Sequence, residues 1–267
     1  MRRWIPFLKA RPRVAVVRLS GMISSGGRFV QGLSDDGLAQ TLDRAFTRGK
    51  PSAVALSINS PGGSAVQSSL IGARIRRLAE ERSVPVYAFV EDVAASGGYW
   101  IAVQADEIWA DPASILGSIG VISASFGAHD FIARHGIERR VHTAGRSKSM
   151  LDPFRPEKDE DVQRLNRILE QIHAAFIDQV KSRRGAKLGD GEDLFTGDVW
   201  IGRQAVDRGL ADGIGHLVPK MQERFGKDVK FLVYGAKRSL LQRLGLAFMD
   251  NMVATVEERA LFARYGL

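Results

Sequence analysis

Ser96 lies between small residues in Ala94-Ala95-Ser96-Gly97-Gly98-Tyr99, shortly after the apolar run Pro85–Val90. Small neighbours leave its hydroxyl open to a bulky substrate, and the glycines let backbone come close to whatever that hydroxyl attacks. A second glycine turn, Asn59-Ser60-Pro61-Gly62-Gly63, ends another apolar run. Two such turns at strand ends can aim backbone N–H groups at one point. Next to a hydroxyl, that arrangement suits nucleophilic catalysis with N–H donors ready for an oxyanion. The plainer readings are a serine capping a helix and glycines that only form turns.

A serine nucleophile needs a base. The five histidines, His129, His135, His142, His173 and His216, stand in no recognisable triad context, although triad partners need not be neighbours in sequence. His173 falls in a long helix as a surface or boundary residue, and His135 and His216 read as turn residues. A lysine serves equally if burial keeps its amine neutral. Lys148, in Ala144-Gly145-Arg146-Ser147-Lys148-Ser149-Met150, follows a strand and a glycine, with apolar Met150, Leu151 and Phe154 behind it. Against it stands the usual fate of a loop lysine, a solvated surface charge.

The elements that must position these residues alternate. Strands are expected at Val14–Leu19, Ala53–Ile58, Pro85–Val90, Glu107–Ala110, Arg139–Thr143 and Val229–Tyr234. Helices are expected at Asp35–Phe46, Ser64–Glu81, from Ser96 through Ala102, and at Pro156–Arg184. In the last of these Val162, Leu165, Ile168, Leu169, Ile172, Ala175, Phe176 and Val180 share one face. The tail Ser239–Leu267 reads as an amphipathic helix. Alternating strands and helices predict an α/β fold with a mainly parallel sheet and flanking helices. Ligands in such sheets bind beyond the carboxyl ends of the strands, where both glycine turns fall.

The 267 residues are 45% hydrophobic and 25% charged, enough for a soluble chain with a substantial core. No apolar run approaches the roughly 20 residues of a membrane span. The basic start Met1–Lys9 has too short an apolar part, broken by Pro6, for a signal peptide. With no cysteine, disulfides, thiolate metal sites and a cysteine nucleophile are excluded. The net charge of +8 comes from dispersed arginines and lysines with no aromatic-interleaved basic stripe, which argues against nucleic acid. Trp4, Phe7 and their basic neighbours suit a peripheral membrane contact as well as a solvated terminus. Nothing in the chain calls for a cofactor or a metal.

Three motifs, Asn59–Gly63, Ala95–Tyr99 and Gly117-Ser118-Ile119-Gly120-Val121, resemble the signal peptide peptidase A family of Ser–Lys serine peptidases. A fourth stretch, Phe195–Ala205 followed by Gly209–Gly215, matches in kind, so the resemblance runs from Val14 to Val218. It implies the Clp-protease/crotonase fold. It implies Ser96 as nucleophile, Lys148 as general base, the N–H groups of Gly63 and Gly97 as oxyanion hole, and Asn59 and Ser118 in support. Asn59 would brace the first turn and Ser118 would orient the lysine amine. Ser149 stands where many members carry an acidic residue.

The implied reaction is endoproteolysis of apolar, extended peptides such as signal-peptide remnants or membrane-derived segments. The implied assembly is a homo-oligomeric ring in which one subunit's lysine can serve its neighbour's serine. A single peptidase domain over residues 1–267 is expected, with a basic segment at 1–12, a catalytic core at 14–218 and the helical tail at 239–267. Many members carry an N-terminal membrane anchor. The absence of one here points to a cytoplasmic protein or one peripheral to the inner membrane. Two other classes remain: an acyl-CoA hydratase or thioesterase on the same fold, which would not need Ser96 and Lys148, and a non-catalytic scaffold binding membrane proteins.

Overall fold

The computed structural model describes residues 11–25, 32–189, 194–235 and 259–267. The basic segment at 1–10 and most of the tail expected at 239–267 lie outside them. The elements run β1 (Arg13–Ser20), α1 (Asp35–Thr47), β2 (Ala53–Ser60), α2 (Ala65–Arg82), β3 (Val86–Ala95), α3 (Gly97–Ala102), β4 (Glu107–Ala110) and β5 (Ile115–Gly117). There follow α4 (His129–Arg134), α5 (Asp159–Arg184), a 3-10 turn at Gly185–Lys187, β6 (Val199–Ile201), α6 (Gly202–Asp207), β7 (Gly213–Ile214), α7 (Leu217–Phe225) and β8 (Lys230–Tyr234).

Among the described residues these strands form one sheet in the order β6-β5-β3-β2-β1-β8, with β4 and β7 branching from β3. Every pairing is parallel except that of β5 with β6. The apolar strands of the sequence are therefore buried on both faces, as parallel sheets require. Alternate residues divide between two cores. Ala15, Val17, Leu56, Ile58 and Ala88 face the larger one, under α1, α2, α3 and the end of α5. Val14, Val16, Ala55, Tyr87 and Phe89 face the smaller one, under α7.

Helix ends follow from local chemistry. Ser34 accepts a hydrogen bond from the Gly37 amide at the start of α1, and Ser64 does the same for Gln67 at the start of α2. Arg74 on α2 grips Asp35 on α1 through two bonds of 2.7 Å, which locks the pair together. Phe176 of α5 stacks on Trp100 of α3 with ring centroids 4.6 Å apart, and so fixes the long helix over the turn that carries Ser96.

One sequence expectation fails here. Arg139–Thr143 forms no strand. Val141 is its only aliphatic residue, and the sheet edge at β5 is already taken by β6. The apolar stripe of α5 is buried only near its end, at Phe176 and Val180, whereas Ile168 is 43% exposed. The first half of this helix runs past the sheet, and none of the described residues buries its apolar stripe. Segment 121–158 behaves likewise: none of its residues is buried, and Phe126 is 92% exposed.

Candidate active site

β3 builds the site by dividing its partners. Its first half, Tyr87–Val90, pairs with β4, and its last residues, Val93–Ala95, pair with β5. Between them Glu91 and Asp92 turn outward to solvent. The strand then ends at Ser96, whose φ of +50° and ψ of −121° lie far from the strand and helix regions. A non-glycine residue held there is strained, and such strain collects at functional positions. The Ser96 amide donates to Gly117 O at 2.8 Å and its carbonyl accepts from the Trp100 amide at 3.0 Å, so its backbone is pinned on both sides. Its side chain makes no cap hydrogen bond, which disposes of the plain capping role. The hydroxyl is half-buried and faces a cleft of about 410 Å3.

The two glycine turns meet at this point. A β-carbon on Gly62, whose φ is +102°, would lie 2.8 Å from Gly97 N and 2.8 Å from Ser96 Cβ. Gly63 bridges to Ile23, with Ile23 N donating to Gly62 O and Ser64 N donating to Ile23 O. Those bonds fall on either side of the Gly63 N–H and leave it uncommitted among the described residues. Gly97 opens α3, where first-turn N–H groups have no partner within the helix. Ser60, 1% exposed, ties the turn down by donating to Gly21 O at 2.7 Å and accepting from Gly62 N at 3.3 Å. Asn59 donates from Nδ2 to Asp92 on the outward bend of β3, and its carbonyl accepts from Gly21 N.

The far wall comes from the turn after β5. Ser118 has φ of +50°, and its amide donates to Asp198 O at 2.7 Å, so the antiparallel β6 edge holds it. Thr196 and Gly197 continue that wall. His173 also lines the cleft, with Nε2 3.0 Å from Ile119 O. A carbonyl oxygen can only accept, so Nε2 carries the proton and donates. Ser96, Gly63 and Ser118 thus share one cleft, with Gly97 next to it. Lys148 does not reach it: the residue is exposed in a turn where its amide donates to Gly145 O at 3.1 Å. The other histidines are elsewhere, His216 on Asp111, His135 on Phe131 O, His129 beside Asp130 and His142 exposed in the 121–158 segment.

A family model, Peptidase family S49, matches residues 79–227, the part that contains Ser96, Ser118, Lys148 and His173. The chain belongs to peptidase family S49. It is 32% identical over 215 residues to the chloroplastic serine protease SPPA of Arabidopsis thaliana, covering 78% of this chain and 31% of that protein. It is 46% identical to a Brucella melitensis protein named Na(+)/H(+) antiporter NhaA, covering 100% of this chain and 39% of the relative. The chain therefore spans well under half of these relatives, and most of the antiporter-named protein lies outside the match. Among solved structures, a mutant of the membrane-bound stomatin-specific protease 1510-N aligns at TM-score 0.49 and 16% identity, covering 86% of this chain and 100% of that one. No helix among the described residues is long and apolar enough to cross a membrane.

Within this S49 chain the fourth sequence motif divides its work. Thr196 and Gly197 face the cleft. Asp212 instead anchors the core, accepting from Arg184 and Lys187 at 2.7 Å each and from the Ile108 amide at 2.7 Å. Burial works to raise the Asp212 pKa, but those bonds outweigh it and hold the carboxyl below its ordinary value. Tyr99, fully buried with its hydroxyl donating to Leu210 O, has its pKa pushed up by the same loss of water.

His173 and Ser60 escaped the sequence reading as members of the site. A signal for His173 was present: it stands three residues before Phe176 and seven before Val180, on the face of α5 that is buried.

Proposed function

We propose that this chain is a serine endopeptidase in which Ser96 attacks the peptide carbonyl and Lys148 from a second copy of the chain acts as general base. The N–H groups of Gly63 and Gly97 would receive the oxyanion, and Ser118 would hold the lysine amine. The observation that carries this reading is the strained, uncapped Ser96 at the meeting point of two glycine turns, whose N–H groups would suit an oxyanion. His173 enters as a positioning residue, because its bond to Ile119 O braces the turn that carries Ser118.

Two features favour a base from a neighbouring copy. Lys148 is exposed and absent from its own cleft, yet lies within a segment that has no buried residue. That segment also presents Ile122, Phe126, Phe131 and Ile137 to solvent, an apolar display that monomeric proteins rarely keep open. No carboxylate lines the cleft among the described residues. An arriving lysine would find no counter-ion to hold it charged, and loss of water would favour the neutral amine that can take the serine's proton. Apolar, extended peptides fit as substrates because Ile122, Val121 and Pro61 border the cleft.

The test is complementation. Ser96→Ala and Lys148→Ala should each be inactive on a peptide substrate. Mixed one to one and allowed to reassociate, they should recover about one quarter of wild-type activity, because random neighbours place an intact serine beside an intact lysine in that fraction of contacts. No recovery, with each variant assembling normally, would put the base within a single chain.

A further inference from the structure

β3 changes neighbours between Val90, which pairs with Ala110 of β4, and Val93, which pairs with Ile115 of β5. On β3 only Glu91 and Asp92 bridge the change, against residues 111–114 on the other side. Pro112 lies in that second stretch and has no N–H with which to carry the ladder on. The Ser114 hydroxyl supplies a donor in its place. It lies 3.0 Å from Val90 O and 2.5 Å from Glu91 O and donates into the gap between the strands, and it accepts from the Asp111 amide at 2.9 Å. The Ser114 carbonyl accepts from Gly202 N at 2.8 Å, where β6 passes into α6. β2 grips the same bend from its other side, with Ser57 Oγ donating to Glu91 and Asn59 Nδ2 to Asp92. Ser114 is buried, and it stands outside the residues that line the Ser96 cleft.

We propose that Ser114 is a positioning residue for the reaction at Ser96: by fixing where β5 joins β3, it sets the placement of Ser118 relative to Ser96. The proposal rests on the reading of those two residues given above. Past the joint β3 and β5 share three pairs, Val93 with Ile115, Ala94 with Leu116 and Ala95 with Gly117. Ser96 follows directly on one strand and Ser118 on the other. A ladder that short has little of its own to hold its register, so what begins and ends it decides the alignment. Its far end is closed by the bond from Ser96 N to Gly117 O. Its near end is closed by Ser114. Irregularities in a strand beside an active site re-aim the side chains that follow them. Here the bend is gripped on one side by the Ser114 hydroxyl and on the other by Ser57 and Asn59, so its shape is set by side chains as well as by backbone pairing. Without the hydroxyl, β5 is free to shift along β3, and the two serines lose their mutual placement.

The experiment compares the full chain with Ser114→Ala, Ser114→Cys and Ser114→Thr, each assayed without urea where circular dichroism shows it folded. It reads kcat and KM for a peptide substrate and the rate of Ser96 modification by a fluorophosphonate. In Ser114→Ala both kcat and the modification rate should fall about 10- to 100-fold with KM little changed, since a misplacement approaching 1 Å costs on the order of 100-fold. Ser114→Cys, close in size but a weak donor, should fall between. Ser114→Thr keeps the hydroxyl and should restore most of both rates. A serine with a merely structural role would lower the urea midpoint and leave kcat of the folded protein unchanged. Unchanged kcat and modification in Ser114→Ala, or in Ser114→Cys where the alanine variant does not fold, would overturn the proposal. So would a folded Ser114→Thr no faster than Ser114→Ala. Absence of Ser96 modification in the full chain itself would instead overturn the underlying nucleophile assignment.

Discussion

Replacing Gly62 with alanine adds one methyl group and no charge, at the place where the two halves of the site touch. The new carbon would lie 2.8 Å from each of three atoms: Ala95 O, Gly97 N and Ser96 Cβ. None of these can yield easily. Ala95 is paired to Gly117 in the sheet, Gly97 begins α3, and the Ser96 amide is bonded to Gly117 O. The backbone at Gly62 also has φ of +102°, which a side chain disfavours. Strain of that kind costs about 1–3 kcal/mol, and overpacking a tight contact costs about 1–3 kcal/mol more. The expected loss of stability is then roughly 2–6 kcal/mol, less whatever is relieved by the turns moving apart. Movement of about 1 Å between reacting groups costs on the order of 100-fold in rate, so the substitution should damage kcat/KM well beyond its effect on folding. The assay is peptide hydrolysis alongside urea unfolding, with Gly127→Ala as control, since a β-carbon there meets nothing within 4 Å. A Gly62→Ala protein with a near-normal urea midpoint and kcat/KM would refute the claim that the two turns are locked together.

Other perturbations probe the supports. His173→Leu should lower kcat with little change in KM and shift the rising limb of the pH–rate profile, where the lysine amine loses its proton, and His173→Gln, which keeps a donor near the Nε2 position, should restore much of both. A Leu variant with an unchanged profile would remove His173 from the positioning role. Asp35 and Asp212 both have pKa values held below the ordinary carboxylate range, Asp35 mainly by its bonds to Arg74 and Asp212 by bonds that outweigh its burial. Their stabilising contribution is therefore complete above the unfolded aspartate value of about 3.9 and is lost as pH falls through the folded values. Urea midpoints measured from pH 7 to pH 2 should show this loss at the acid end, and Asp35→Asn/Asp212→Asn should flatten it. An equally steep acid fall in that double variant would assign it to other groups.

The sheet was legible because its strands are short, nearly continuous apolar runs that end in glycine turns, and parallel strands buried on both faces must look like that. That Ser96, Gly63 and Gly97 come together was legible for the same reason, since strand ends in a parallel sheet converge on one edge. What escaped depended on contacts that periodicity does not encode. The three-residue β6 pairs antiparallel at an edge, and its value to the site is one bond, from the Ser118 amide to Asp198 O. The apolar stripe of α5 correctly marked a helix, but apolar spacing cannot say what covers it, and the described residues leave Ile168 43% exposed. Lys148 illustrates the same limit. Under the proposed dyad the lysine and the serine come from different copies and have no fixed spacing to read, and the fold of one chain leaves this lysine in solvent.

Ser96 is the proposed nucleophile. Treating the full chain with a fluorophosphonate and locating the adduct by mass spectrometry of its peptides tests that most directly. A single adduct on Ser96, absent from Ser96→Ala, is the predicted result. An adduct on another residue, or one that persists in Ser96→Ala, would contradict it.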